Sequence, residues 1–230
     1  DLMTGMVGEF PTLEGIMGAY YAAAGGEPDA VALALKDQYL PKTAQDNLPS
    51  TDLGFALALA NRLDVLVGII GIGQKPNGVK DPYKCRRHAL AVCRLLLSSR
   101  HALSLRACMQ QVVASYPKGV LRQDPTEELN AFILERLPAY FSQQGISTEW
   151  VHSVLAVESD CLYDVGCRLF AIQTKQAQLM PLMASIKRIH HLLKAVPTEP
   201  HQKTVEVALF EMPAEHHLWA ALQRVQKTVA

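Results

Sequence analysis

The sequence predicts an all-α protein, and three observations carry that prediction. Apolar residues recur at three- and four-residue spacing in nearly every segment. The segments are punctuated by glycines, prolines and capping Ser, Thr and Asp where helices start and stop. No set of alternating apolar and polar residues marks out strands. Of the 230 residues, 49% are hydrophobic and 19% charged, which excludes a disordered, collagen-like or low-complexity chain. No repeat of 20–50 residues stands out.

The elements follow in order. Pro11 opens a helix with Leu13, Ile16, Met17, Tyr20 and Tyr21 on one face, ended by Gly25-Gly26. Pro28 and Asp29 start a second, with Val31, Leu33, Leu35 and Tyr39; the two prolines within 40–50 make that stretch a loop. Ser50 or Thr51 caps the next helix, with Asp52 in its positive first turn. It carries Phe55, Leu57, Leu59, Leu63, Leu66 and Ile69 or Ile70, is apolar nearly all round, and is expected to be central and buried. Gly71, Gly73, Pro76, Asn77 and Gly78 force a turn. Asp81-Pro82 opens a helix to about Ser99, and Ser104 caps another to about Ser115. Tyr116–Pro125 is polar and proline-bearing and is taken as the boundary between domains 1–118 and 119–230. Beyond it, Thr126 begins a helix with Leu129, Phe132, Ile133, Leu137 and Phe141 on one face, closed by Gly145. Ser147 or Thr148 caps the next; further helices are expected at about 161–178 and 181–195, a loop at 196–203, and a last helix led by Pro213. The stretch 204–210 reads as a short strand or a helical turn.

Lys plus Arg and Asp plus Glu both number 22, so the net charge is zero; a surface wholly given to nucleic acid would be far more basic. The charge is nevertheless uneven. Lys75, Lys80, Lys84, Arg86, Arg87, Arg94, Arg100 and Arg106 are eight cations in a stretch holding a single acid, Asp81. Such a stripe can take phosphates, each contact releasing a condensed counterion, or it can be a solvated helix face pairing with acids elsewhere. The five cysteines (85, 93, 108, 161 and 167) include no C-x-x-C pair and read as reduced, partly buried thiols of a cytosolic protein. His190-His191 diverge by about 100° on a helix, and Glu215-His216-His217 lacks an i, i+4 histidine pair, so neither forms a metal motif. There is no G-x-S-x-G elbow and no glycine-rich phosphate loop. No basic segment followed by an apolar one opens the chain, and the greasiest run, 65–73, falls short of the about 20 residues of a membrane span.

Three long strings go beyond pattern: DLMTGMVGEFPTLEGIMGAYYA (1–22), QYLPKTAQDNLPS (38–50) and LALANRLDVLVGIIGIGQKPNGVKDPYKCRR (57–87). In order and spacing they resemble the middle of the β subunit of the tetrameric bacterial type of glycyl-tRNA synthetase. FILERLPAYFSQQGI (132–146), VHSVLA (151–156), IKRIHHLL (186–193) and PAEHHL (213–218) agree more loosely, and resemble the start of that family's anticodon-binding helical domain, of the kind shared with arginyl-tRNA synthetase. The departures are Glu14 where the family usually has Gln, Ala19 where it has Arg, and His190-His191 in place of a Ser-Asn pair.

The resemblance implies an internal fragment of a cytoplasmic heterotetramer, and Asp1 at the start in place of Met agrees with one. In that family the α subunit activates glycine with ATP and Mg, and the β subunit binds and positions glycine tRNA. It also implies that residues 1–118 resemble the HD phosphohydrolase fold. No His-Asp dipeptide occurs, and Asn61 stands where those hydrolases, and many members of the family, carry Asp. An amide is a weaker ligand than a carboxylate for a hard cation, so a degenerate, metal-free domain is expected, with Asp64 free to salt-bridge Arg62 or Arg86. The expected partners are the α subunit and tRNA, with no membrane; no catalytic residue and no cofactor is expected in this segment. The residues expected to touch tRNA are Lys80, Lys84, Arg86 and Arg87, then Lys187 and Arg188. Two other readings stand beside this one: a metal-dependent nucleotide phosphohydrolase with its ion near Asn61 and Asp64, and a scaffold that only joins synthetase domains.

Overall fold

The computed structural model describes residues 4–99, 101–157, 159–195 and 205–229, and the fourteen regular elements among them are twelve α-helices and two 3₁₀ turns. Among the described residues the only ladder pairing is an isolated bridge between Asn77 and Lys80. The chain falls into two compact units, 1–177 and 178–230.

In the first unit, α1 (Gly5–Glu9), a 3₁₀ turn (Pro11–Leu13) and α2 (Met17–Ala24) replace the single helix expected from Pro11. The break is at Gly15, whose φ of +83° no helix accepts; a Cβ there would meet the Tyr39 ring at 3.2 Å. α3 (Asp29–Asp37) leads into the 40–50 loop, where buried Asp37 accepts from the Ser50 amide and hydroxyl, both at 3.0 Å.

α4 (Asp52–Gly71) is the central helix. Thr51 caps it by accepting from the Gly54 amide, with Asp52 in the first turn. The apolar run 65–73 is the end of this 20-residue helix, which has the length and apolarity to cross a membrane; Leu63, Leu66, Val67 and Ile70 instead lie in the core of this unit. Two of its glycines admit other chain. A Cβ on Gly68 would lie 2.6 Å from the Tyr116 hydroxyl, and one on Gly71 2.6 Å from Leu121 Cδ2.

α5 (Cys85–Ser98) starts three residues later than Asp81-Pro82 indicates, because Pro82 and Tyr83 form a turn and Lys84 takes a left-handed conformation with φ of 54°. Asp81 still serves the helix: its carboxylate accepts from the amides of Cys85 (2.8 Å) and Arg86 (3.0 Å). α6 (Leu105–Ser115) is capped by Ser104. The segment expected to run as one helix to Phe141 divides into α7 (Thr126–Leu134) and α8 (Leu137–Ser142), since Pro138 has no amide to continue the ladder and sits comfortably only in a first turn. α9 (Thr148–Leu155) and α10 (Leu162–Thr174) complete the unit.

One apolar cluster joins these helices: Leu66 and Ile70 of α4 pack with Val92 and Leu96 of α5, Leu105 and Met109 of α6, Leu129 and Ile133 of α7, Leu137 of α8, Val151 of α9 and Val165 and Leu169 of α10. Tyr116–Pro125 is the loop the sequence indicates, and the core continues across it. Burying each such leucine is worth about 1.5–3 kcal/mol.

α11 (Gln176–Ala195) contains Pro181, where the sequence reading placed a break. Pro181 is the sixth residue of this helix, past the first turn, so it removes the bond to the Ala177 carbonyl and its ring crowds that carbonyl. In the second unit, residues 205–210 hold a 3₁₀ turn at Val207–Leu209, followed by α12 (Pro213–Val229); Thr204 and the loop expected at 196–203 lie outside the described residues. Leu182, Ile186 and Ile189 on α11 and Leu218, Leu222 and Val225 on α12 are exposed.

Candidate nucleic-acid interface

The cation stripe of the sequence divides into residues that hold the fold together and residues that do not. Lys75 pairs with Glu128 at 2.8 Å, and Arg106 forks onto Glu127 at 2.8 and 3.1 Å. Arg94 donates to the carbonyls of Thr43 (2.9 Å) and Asp46 (2.6 Å), pinning the 40–50 loop. Arg86 donates to the Gly78 carbonyl at 2.5 Å, tying the start of α5 to the tight turn in which Asn77 and Lys80 exchange backbone bonds of 3.1 and 2.8 Å. Arg100 is outside the described residues. Lys80 at the base of that turn, Lys84 at the entry to α5 and Arg87 in its first turn are exposed, and no side-chain hydrogen bond or ion pair holds any of them among the described residues. The structure therefore leaves Lys80, Lys84 and Arg87 as exposed cations, sets Lys84 and Arg87 in the lining of one cleft, and gives Arg86 a structural post. Lys187 and Arg188 are exposed on α11 in the second unit.

Two clefts flank Arg87. One, of about 500 Å³, is lined by Arg86, Arg87, Leu90, Arg136, Tyr140 and Gln143 among others. Arg136 lies over the Phe132 ring at 4.8 Å and pairs with Glu135. The other, of about 250 Å³, lies between α4 and α5 and is lined by Glu14, Tyr39, Lys42, Asn61, Arg62, Val65, Lys84, Arg87 and His88.

The second cleft is organised by a residue the sequence reading assigned elsewhere. Arg62 does not pair with Asp64. It is 7% exposed and donates to the carbonyls of Tyr39 and Pro41, the latter at 3.3 Å, while its Nη1 lies 3.1 Å from Nδ1 of His88. A guanidinium only donates, so Nδ1 accepts and neutral His88 carries its proton on Nε2. Burial first, and the charge of Arg62 second, push His88 down to about 4. Burial also draws Arg62 below the usual arginine range, with Glu14 pulling the other way. The sequence did hold a signal: Arg62 falls three residues after Leu59 and four before Leu66, on the apolar face of the central helix.

Asp64 accepts from the Tyr116 hydroxyl, which lies 2.9 Å from its carboxylate and 3.0 Å from its carbonyl. Burial, then this carboxylate, push Tyr116 up to about 12. Beside Asn61 stand Arg62, Lys84 and Arg87, a lining that repels a divalent cation. Among the described residues no three His, Cys, Asp or Glu side chains converge to hold a metal ion. The donor set does not fit the ion of an HD hydrolase.

Exposed cations beside recessed clefts with cationic residues in their linings are what this helical face presents. The comparisons narrow this. A profile described as "Glycyl-tRNA synthetase beta subunit" matches residues 1–156. The chain is 43% identical over 228 residues to the glycine–tRNA ligase beta subunit of Leptothrix cholodnii, covering 98% of this chain and 32% of that one. It is 42% identical over 231 residues to that of Ectopseudomonas mendocina (100% and 34%) and 38% identical over 231 residues to that of Dichelobacter nodosus (100% and 33%). This chain belongs to the glycyl-tRNA synthetase beta subunit family. It spans about a third of the length of the curated relatives it matches.

Proposed function

We propose that this chain is the part of a glycine–tRNA ligase β subunit that binds and positions glycine tRNA, while activation of glycine with ATP and Mg takes place on a separate α subunit. Family membership supports the setting, and the observation that carries the role is the trio of unpaired cations Lys80, Lys84 and Arg87 around one turn and helix start. They offer point charges to RNA phosphates, with loop bases read by stacking or hydrogen bonding. Residues 1–118 serve in this reading as a metal-free HD-like domain and 119–230 as the beginning of an anticodon-binding-like domain, with Lys187 and Arg188 as a second contact set. The phosphohydrolase reading is disfavoured by the cationic lining at Asn61.

The test uses the complete α and β chains. Changing Lys80, Lys84 and Arg87 to Ala together should weaken tRNA binding and flatten its salt dependence by up to about one log unit per lost contact. Arg86 is left intact because its loss would also free the Gly78 turn. Unchanged affinity with an unchanged salt slope removes this face from the reading. A defect only in assembly, with tRNA affinity intact, would favour the scaffold.

A further inference from the structure

The cleft between α4 and α5 is more specialised than a solvated cationic face. Its lining carries four cations (Lys42, Arg62, Lys84 and Arg87) against one carboxylate, Glu14. Glu14 is already engaged: its Oε2 is 3.9 Å from Lys42 Nζ, which also donates to its carbonyl at 2.7 Å. Lys84 and Arg87 have no acid partner among the described residues.

Arg62 adds buried charge to the wall. More than nine-tenths buried, it spends Nη1 and Nη2 on His88 and on the two backbone carbonyls, and its Nε finds no acceptor in the protein. That Nε is sealed from solvent, so Arg62 gives the cleft its buried positive charge and no hydrogen bond to a ligand. At about 250 Å³ the space lies below the usual range for drug-sized ligands, roughly 300–1,000 Å³. A phosphodiester carries a sugar on both sides, a single negative charge and only two free oxygens. A terminal phosphoryl group, with three free oxygens and two negative charges, enters end-on and matches the charge excess.

We infer that this cleft is a binding site for a terminal phosphoryl group, held by Lys84 and Arg87 at the mouth, with buried Arg62 and Lys42 contributing charge. Free phosphate and the phosphorylated end of a nucleotide share this chemistry. The site uses Lys84 and Arg87 in common with the tRNA-positioning role but does not rest on it, because it can be titrated with no RNA present.

The experiment is calorimetric titration of the complete β chain with inorganic phosphate, ribose 5-phosphate and dimethyl phosphate. Saturable binding of the first two is expected, with dimethyl phosphate much weaker. Lys84→Ala and Arg87→Ala, both at exposed positions, should each weaken phosphate by about tenfold, the loss of one charge-assisted hydrogen bond. Glu14→Gln should tighten it, since it removes the opposing carboxylate. Lys175→Ala, at an exposed cation away from the cleft, should leave it unchanged. Ribose 5-phosphate matching or exceeding phosphate assigns a nucleotide end; phosphate the tighter of the two assigns the free ion. No saturable binding, equal binding of dimethyl phosphate, or affinity indifferent to Lys84→Ala and Arg87→Ala overturns the inference. If tRNA affinity still falls in those variants, the tRNA-positioning role survives that outcome.

Discussion

Replacing Arg62 with methionine keeps most of the side chain's bulk in the α4 wall and removes every donor. Two buried carbonyls, of Tyr39 and Pro41, then lose their guanidinium. An orphaned buried acceptor costs about 1–3 kcal/mol, so the pair costs about 2–6 kcal/mol. The variant also no longer buries a cation, and replacing buried charge with well-packed apolar atoms returns about 1–4 kcal/mol. The balance is a loss on the order of 2 kcal/mol, or about 4–8 °C in Tm for a chain of this size. Because the guanidinium tethers the loop after α3, amide exchange in 39–50 should accelerate more than exchange in the α5 core. The same change removes a charge that depresses His88, so the titration midpoint of His88, read from its ring proton by NMR, should rise from about 4 toward the ordinary histidine value. Thermal unfolding, exchange mass spectrometry and that titration together form the assay. A variant as stable as the parent, with loop exchange and the His88 midpoint unmoved, would refute the view of Arg62 as a buried tether.

Three other outcomes are expected. His88 is neutral in the folded chain down to about pH 4 and titrates near 6.5 when unfolded; between those values the unfolded chain binds the extra proton, so stability is full above about pH 6.5 and falls as pH drops toward 4, by on the order of 2 kcal/mol. Urea midpoints across that range should show a component that His88→Gln abolishes; identical slopes for both proteins would count against it. Asp81→Ala should cost about 1 kcal/mol by leaving two first-turn amides of α5 uncapped, and exchange at Cys85 and Arg86 reports it directly; amides as protected as before would contradict the cap. Maleimide should modify exposed Cys167 in the native chain and spare Cys93, which is fully buried and whose thiol burial pushes up to about 12; equal labelling rates by mass spectrometry would contradict the packing.

The helices were legible where the chain punctuates itself: Thr51, Ser104 and Ser147 cap the elements their spacing indicates. Boundaries shifted where a backbone conformation, and not a side-chain pattern, decided them, as at left-handed Lys84 and Gly15. At the candidate site, counting charge found Lys80, Lys84 and Arg87 but could not separate them from Lys75, Arg94 and Arg106, whose partners lie between 21 and 54 residues away in sequence. Glu14, Tyr39, Lys42 and His88 were invisible for the same reason: they come from three separate segments and meet only around Arg62. Local sequence reports caps and periodicity; it does not report which carbonyl a distant guanidinium will reach.

The two glycines of α4 bear on which sequences this fold can accept. A methyl group at 68 collides with the phenol of Tyr116, and one at 71 with the branched end of Leu121. Drift on the central helix is thereby tied to drift in the loop crossing it: an alanine at 68 is accommodated with a smaller partner at 116, and an alanine at 71 with one at 121. Paired exchanges of bulk between helix and loop are thus the permitted route, and an unaccompanied gain of volume on either side is a steric dead end.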